Sequence, residues 1–216
     1  MPRVIIAGAS GLIGSTLCTM LGGHEVHILL RRPMDDLPES ITQHVAETAR
    51  WPEIIAGLAP DIAISCLGTT MKKSGGDAAQ FRAVDKDLVL AFATAANLAG
   101  ARQFITVSSV GATPDTKNLY LRTKGEVEDA LTLLAFERLD IIRPGLLTGD
   151  RQNDPRAGER AAIMLSPVID RLIPRAFSRF RSIPASIVAQ AIAELVGNGT
   201  PGRFIHENEA IRALAG

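Results

Sequence analysis

The chain has 216 residues, 46% of them apolar, with 23 basic residues against 23 acidic ones and two cysteines. That length and apolar content exclude intrinsic disorder and fit a single α/β domain over residues 1–216, while the balanced charge gives no global field for drawing in nucleic acid. Cys18 and Cys66 lie far apart without metal spacing, which excludes a disulfide framework or a zinc site and points to a cytoplasmic location.

The apolar run Val4–Ala7 breaks into Gly8-Ala9-Ser10-Gly11-Leu12-Ile13-Gly14, and a helical pattern follows over Ser15–Leu21. A buried strand, a glycine turn and a helix in succession leave main-chain N–H groups directed at one spot, which suits a pyrophosphate. Gly8 permits the tight turn, Gly11 lets a phosphate approach the backbone, and Gly14 lets the helix pack closely on the strand. A second strand, Val26–Leu30, comes at the spacing of a βαβ unit and runs into Arg31-Arg32. An NAD site usually carries Asp or Glu there. Two guanidiniums suit a 2′-phosphate instead, so NADP(H) is expected in preference to NAD(H).

A weaker strand over Ile41–Ala46 and a helix over Trp51–Leu58 lead to the strand Asp61–Cys66. That strand ends in Leu67-Gly68-Thr69-Thr70, a bend where the backbone can pass close to a cofactor ribose, while the Cys66 side chain reads as a small apolar residue. A long Ala-rich helix over Asp77–Ala99 precedes the strand Gln103–Val107, which ends in Ser108-Ser109-Val110-Gly111.

The next helix, expected over Leu119–Arg138, carries Tyr120, the chain's one tyrosine, and Lys124. A separation of four residues places both on one helix face. A phenol with its ordinary pKa of ~10 is a poor acid–base catalyst at neutral pH, and a neighbouring ammonium favours its phenolate. Tyr120 then suits proton exchange with a carbonyl or alcohol, Ser109 a hydrogen bond to the same oxygen, and Lys124 a contact with the nicotinamide ribose.

The strand Asp140–Arg143 stops at Pro144-Gly145, a turn whose main chain can address the nicotinamide carboxamide. From 148 to 185 prolines break the pattern and arginines accumulate, which reads as an irregular lobe: a solvated flap, or a surface for an anion, a membrane or a protein. A helix over Ser186–Val196 and a strand over Arg203–His206 follow. No run is long and apolar enough for a transmembrane segment, and His24, His27, His44 and His206 show no metal spacing. Strands alternating with helices predict a doubly wound parallel sheet of the Rossmann type, with a small irregular C-terminal lobe.

These residues resemble the short-chain dehydrogenase/reductase superfamily in its extended or atypical branch. The glycine loop, the strand-end serine, Tyr-x-x-x-Lys and Arg-Pro-Gly occur in the order that superfamily uses. Cys66–Thr70, Ser108–Ala112, Asn118–Tyr120, Lys124–Glu128, Arg143–Gly145 and Asp150–Gln152 are similar to the Tat-interacting, tumour-suppressor-type oxidoreductase subgroup. The resemblance implies NADPH binding, a Ser109–Tyr120–Lys124 site acting on a small carbonyl or alcohol, and a homodimer through the two long middle helices. It leaves open a nucleotide-sugar epimerase or dehydratase, and a non-catalytic NADPH sensor that binds protein partners. In one respect the chain departs from the superfamily: Asp85 stands where many members place an asparagine that holds a water in a proton relay.

Overall fold

The computed structural model describes residues 1–149 and 175–216. Seven strands form one parallel sheet: β1 (Arg3–Ala7), β2 (Glu25–Leu30), β3 (Ile41–Val45), β4 (Ile62–Ser65), β5 (Gln103–Val107), β6 (Arg138–Arg143) and β9 (Gly202–Glu207). Their order is β3-β2-β1-β4-β5-β6-β9, with every neighbouring pair parallel. The order reverses between β1 and β4, and a crevice opens beyond the carboxyl ends of strands at such a reversal. Two short strands, β7 (Leu147–Thr148) and β8 (Ile183–Pro184), pair separately.

Both faces of the sheet are covered, which is why its inner strands are mostly apolar on both faces rather than alternating, with His27, Gln103, Thr106, Arg138 and Asp140 among the buried polar exceptions. Val4, Ile6, Ile28, Ile64 and Ile105 pack on one face against α1 (Leu12–Cys18), α6 (Ala185–Leu195) and α7 (Asn208–Leu214). Ile5, Ala7, Leu29, Phe104 and Ile141 pack on the other against α2 (Trp51–Leu58), α4 (Val89–Leu98) and α5 (Leu119–Leu133).

Several boundaries differ from expectation. The first helix begins at Leu12, directly on Gly11, and ends at Cys18 rather than spanning Ser15–Leu21. The long helix over Asp77–Ala99 is interrupted: Asp77 caps α3 (Ala78–Arg82) by accepting the Ala79 and Gln80 N–H groups, a π-helical turn follows over Ala83–Leu88, and α4 then continues. Helix α5 stops at Leu133, short of Arg138, because Ala135 turns into the left-handed region with φ +53° and Arg138 opens β6. The short helix α7, whose Ile211 is buried, was not expected.

Of the irregular lobe expected over 148–185, residues 150–174 lie outside the described residues, and with them most of its arginines. The described remainder holds a 3-10 helix over Arg175–Phe180 and strand β8.

Candidate functional site

The carboxyl ends of β1, β4 and β5 lie side by side, with Ala7 in register with Ser65 and Ser65 with Thr106. The loops leaving these three ends define the site. Beyond β1, a Cβ on Gly14 would lie 2.3 Å from the Gly8 carbonyl oxygen, so only glycine lets α1 approach this closely. Gly8 itself has φ +87°, and a Cβ there would meet the Cys66 carbonyl carbon at 2.5 Å. Gly8 thus presses the first loop against the loop after β4, while Gly14 seats α1 on the end of β1. Gly11 donates its N–H to Gly8 at 3.0 Å, and the N–H groups of Leu12, Ile13 and Gly14 have no acceptor within their own helix by position. Ser10 and Gly11 are exposed, whereas the Ile13 side chain is in the core, leaving only its main chain at the loop.

Arg31 and Arg32 follow directly on β2. Both are exposed and neither forms a hydrogen bond or ion pair with a described residue. Beyond β4, burial pushes the Cys66 thiol up to about 12, so its sulfur is not a nucleophile. Leu67 packs against the core, and Gly68 and Thr69 lie over a buried charge pair.

That pair is Lys124 and Asp85. Lys124 is 5% exposed and Asp85 1% exposed, and Nζ lies 2.9 Å from Oδ1. The other carboxylate oxygen of Asp85 accepts the Thr69 N–H at 2.6 Å. Tyr120 stands one turn before Lys124 on α5, 37% exposed, its ring centroid 6.0 Å from the Lys124 ammonium. The buried Phe81 ring, 6.0 Å away between centroids, backs the phenol. A glycine again brings the helix in: a Cβ on Gly125 would lie 2.3 Å from the Thr113 carbonyl carbon, so α5 presses directly on the loop after β5.

The two strand-end serines have different surroundings. Ser108 is buried and donates to Glu128, which also accepts from the Arg143 guanidinium. Ser109 is half-buried, and among the described residues its hydroxyl makes only a long 3.4 Å contact to the Val110 carbonyl. At the Arg-Pro-Gly turn, the Pro144 carbonyl accepts the Val110 N–H at 3.0 Å, while the Gly145 N–H is taken by Asn208 at 2.8 Å. The expectation that this turn offers main-chain donors to a carboxamide is therefore not met by the Gly145 N–H.

Glu128 and Asn208 carry no role in the sequence reading. Glu128 continues the ladder Tyr120–Lys124–Glu128 at intervals of four, a signal that was available. Asn208 is brought in from 63 residues away, which no local pattern reveals.

On the flank of α5, hydrogen bonds from Arg82 and Lys86 hold the Glu126 carboxyl at about 2, below its ordinary value of 4.5. A carboxyl lowered by folding contributes stability above its ordinary value and loses it as pH falls toward the folded value. In urea unfolding, Glu126→Gln is therefore expected to lag wild type most at about pH 6 and less at about pH 3.

Comparison with known proteins bears on this site. Residues 4–131 match the model of the NAD dependent epimerase/dehydratase family. Protein HTATIP2 of Rattus norvegicus is 33% identical over 220 residues, covering 98% of this chain and 88% of that protein. The mitochondrial protein FMP52 of Eremothecium gossypii is 34% identical over 176 residues, covering 78% and 77%. Among solved structures, a putative NAD-dependent epimerase/dehydratase from Bacillus halodurans superposes with a TM-score of 0.69 at 25% identity, covering 94% of this chain and 92% of that one.

The fungal relatives overturn the expectation of a cytoplasmic location, since they are named as mitochondrial proteins. Two unpaired cysteines exclude a disulfide scaffold but do not distinguish one reducing compartment from another. Among the described residues, no helix is long and apolar enough to cross a membrane.

Proposed function

Since this chain belongs to the NAD dependent epimerase/dehydratase family, in the branch of extended short-chain dehydrogenases that includes HTATIP2, we propose that it is an NADP(H)-dependent oxidoreductase acting on a small carbonyl or secondary alcohol. The observation that carries this reading is the convergence, at the carboxyl ends of β1, β4 and β5, of the Gly8–Gly14 loop, the Gly68–Thr69 loop and the Tyr120–Lys124 face of α5.

The residues present fit a dinucleotide. The glycine contacts leave no room for a Cβ at Gly8 or Gly14, and the first-turn N–H groups of α1 are donors without helical partners, as a pyrophosphate requires. Ser10 through Gly14, Cys66 through Thr69 and the Pro144-Gly145 turn would line it. Arg31 and Arg32, free of partners among the described residues, would hold a 2′-phosphate. When bound, the nicotinamide supplies the hydride acceptor or donor.

The chain's own groups do the rest. Tyr120, backed by Phe81 and 37% exposed, exchanges the proton of the reacting oxygen. Ser109 donates a hydrogen bond to that oxygen, since Ser108 is already committed to Glu128. Lys124 orients the ribose and places positive charge near the phenol.

The test is a fluorescence titration with NADPH and NADH. Arg31→Ala/Arg32→Ala is expected to weaken NADPH by about one to two orders of magnitude and to leave NADH within about twofold. A carbonyl screen then follows, in which Tyr120→Phe retains NADPH affinity and loses about 10²–10⁴ in turnover. Binding of neither nucleotide by the wild-type protein overturns the reading. Full turnover in Tyr120→Phe removes the tyrosine from the chemistry.

A further inference from the structure

Three separate segments meet at Asp85. It lies in the π-helical turn Ala83–Leu88, its Oδ1 is 2.9 Å from Lys124 Nζ on α5, and its Oδ2 takes the Thr69 N–H of the loop after β4 at 2.6 Å. Both charged partners are almost wholly buried. Buried charges persist in proteins when they are paired, and here one carboxylate oxygen takes the Thr69 N–H while the other, with no hydrogen-bond partner among the described residues, is in ion-pair contact with the ammonium. A π-helical turn is uncommon and recurs at functional sites, where it re-aims a side chain relative to the α-helical repeat.

The stoichiometry of donors gives the arrangement a purpose. An ammonium has three N–H groups. The ion pair with Asp85 at 2.9 Å anchors the charged end of the side chain without taking up its N–H groups in hydrogen bonds, which leaves them for another acceptor pair. The Gly68 backbone lies directly over this pair: a Cβ built there would stand 3.5 Å from Asp85 Oδ1 and 3.8 Å from Lys124 Nζ. The same carboxylate therefore aims the lysine and sets the height of the loop above it.

The geometry points to Asp85 as a positioning residue that couples the Gly68–Thr69 loop to the Lys124 ammonium, so that a ribose resting on the loop meets a lysine already aimed at its hydroxyls. Asp85 acts through Lys124 and does not touch the dinucleotide. This inference rests on the dinucleotide site proposed above.

A double-mutant cycle on NADPH affinity, read by nicotinamide fluorescence, tests it. The set is wild type, Asp85→Asn, Lys124→Met and the double variant. Asp85→Asn retains an oxygen for the Thr69 N–H, so a purely structural role for the carboxylate predicts the same change in both backgrounds. Coupling through Lys124 predicts a loss on the order of tenfold in the wild-type background and no loss in the Lys124→Met background.

Asp85→Asn leaves a buried ammonium without its counter-charge. Should that variant fail to fold, Lys124→Met and the double variant, which both lack the ammonium, still carry the comparison. Equal affinity of these two sustains the assignment, and a further loss of more than about fivefold in the double variant overturns it. Wild-type affinity in a folded Asp85→Asn protein overturns it as well. If the wild-type protein binds neither NADPH nor NADH, the dinucleotide site itself falls and takes this inference with it. Binding with equal effects in the two backgrounds removes only the role of Asp85.

Discussion

Asp140→Ala is expected to lower the free energy of unfolding by about 3–5 kcal/mol and the melting temperature by roughly 10 °C. Asp140 lies in the middle of β6 with no solvent exposure. Its two oxygens accept from both Nε and a terminal nitrogen of Arg138, from Gln103 Nε2 at 2.9 Å and from His206 Nε2 at 2.9 Å. Burial pushes the Asp140 carboxyl up, but hydrogen bonds from His206, Arg138 and Gln103 more than offset it, leaving the group below its ordinary value. Alanine would strand the guanidinium of Arg138, a residue 5% exposed, with only Asn198, the Thr200 carbonyl and the face of Phe204 to satisfy it among the described residues. Removing one member of a buried pair is costly because the other charge stays behind. Urea and thermal unfolding would read the loss. Wild-type stability in Asp140→Ala would mean that water replaces the carboxylate at this site.

The second large effect divides the glycine loop into a packing residue and a ligand-facing one. Gly14→Ala is expected both to destabilise the protein by about 1–3 kcal/mol and to abolish dinucleotide binding, because its Cβ would fall 2.3 Å from the Gly8 carbonyl oxygen and 2.8 Å from the Ala9 Cα. Backbone cannot yield there as a flexible side chain would, so α1 must lift away from β1. Gly11→Ala is expected to leave stability within about 1 kcal/mol. Gly11 has φ −83°, ordinary for any residue, and its Cβ would meet only the Gly8 carbonyl oxygen within 3.5 Å, at 3.2 Å. Its methyl would project from an exposed position at the mouth of the loop, so NADPH affinity is expected to fall by more than about tenfold while the melting temperature holds. Equal losses of stability in the two variants would contradict this division of roles.

The sheet was legible in the sequence because its strands are buried on both faces, and burial writes itself as apolar runs such as Val4–Ala7 and Ile28–Leu30. The start of β6 was hidden by the same rule: Arg138 and Asp140 are polar and buried, so the strand looked shorter and the preceding helix longer than they are. Within the site, the glycine loop and the Tyr120–Lys124 face could be read because each has a short, fixed spacing. Asp85 was visible only as a departure from a pattern. Its contacts reach 16 and 39 residues along the chain, to Thr69 and Lys124, and a change from α- to π-helical winding inside an Ala-rich helix leaves no periodic trace. The Gly145 amide was misjudged for a related reason, since its acceptor, Asn208, belongs to a helix too short and polar to be anticipated.

The order of the strands also bears on how the molecule is made. β6 is flanked by β5 and by β9, and β9 is supplied by residues 202–207, later in the chain than any other strand. During synthesis the loops after β1, β4 and β5 emerge and pair well before His206 reaches Asp140 or Asn208 reaches the Arg-Pro-Gly turn. A nascent chain halted near residue 200 holds the glycine loop and the Tyr120–Lys124 helix, yet exposes one edge of β6 with unpaired main-chain groups and an Asp140 carboxylate that lacks its His206 partner. Ribosome stalling or proteolytic trimming in this last stretch would therefore leave an aggregation-prone edge on an otherwise assembled sheet.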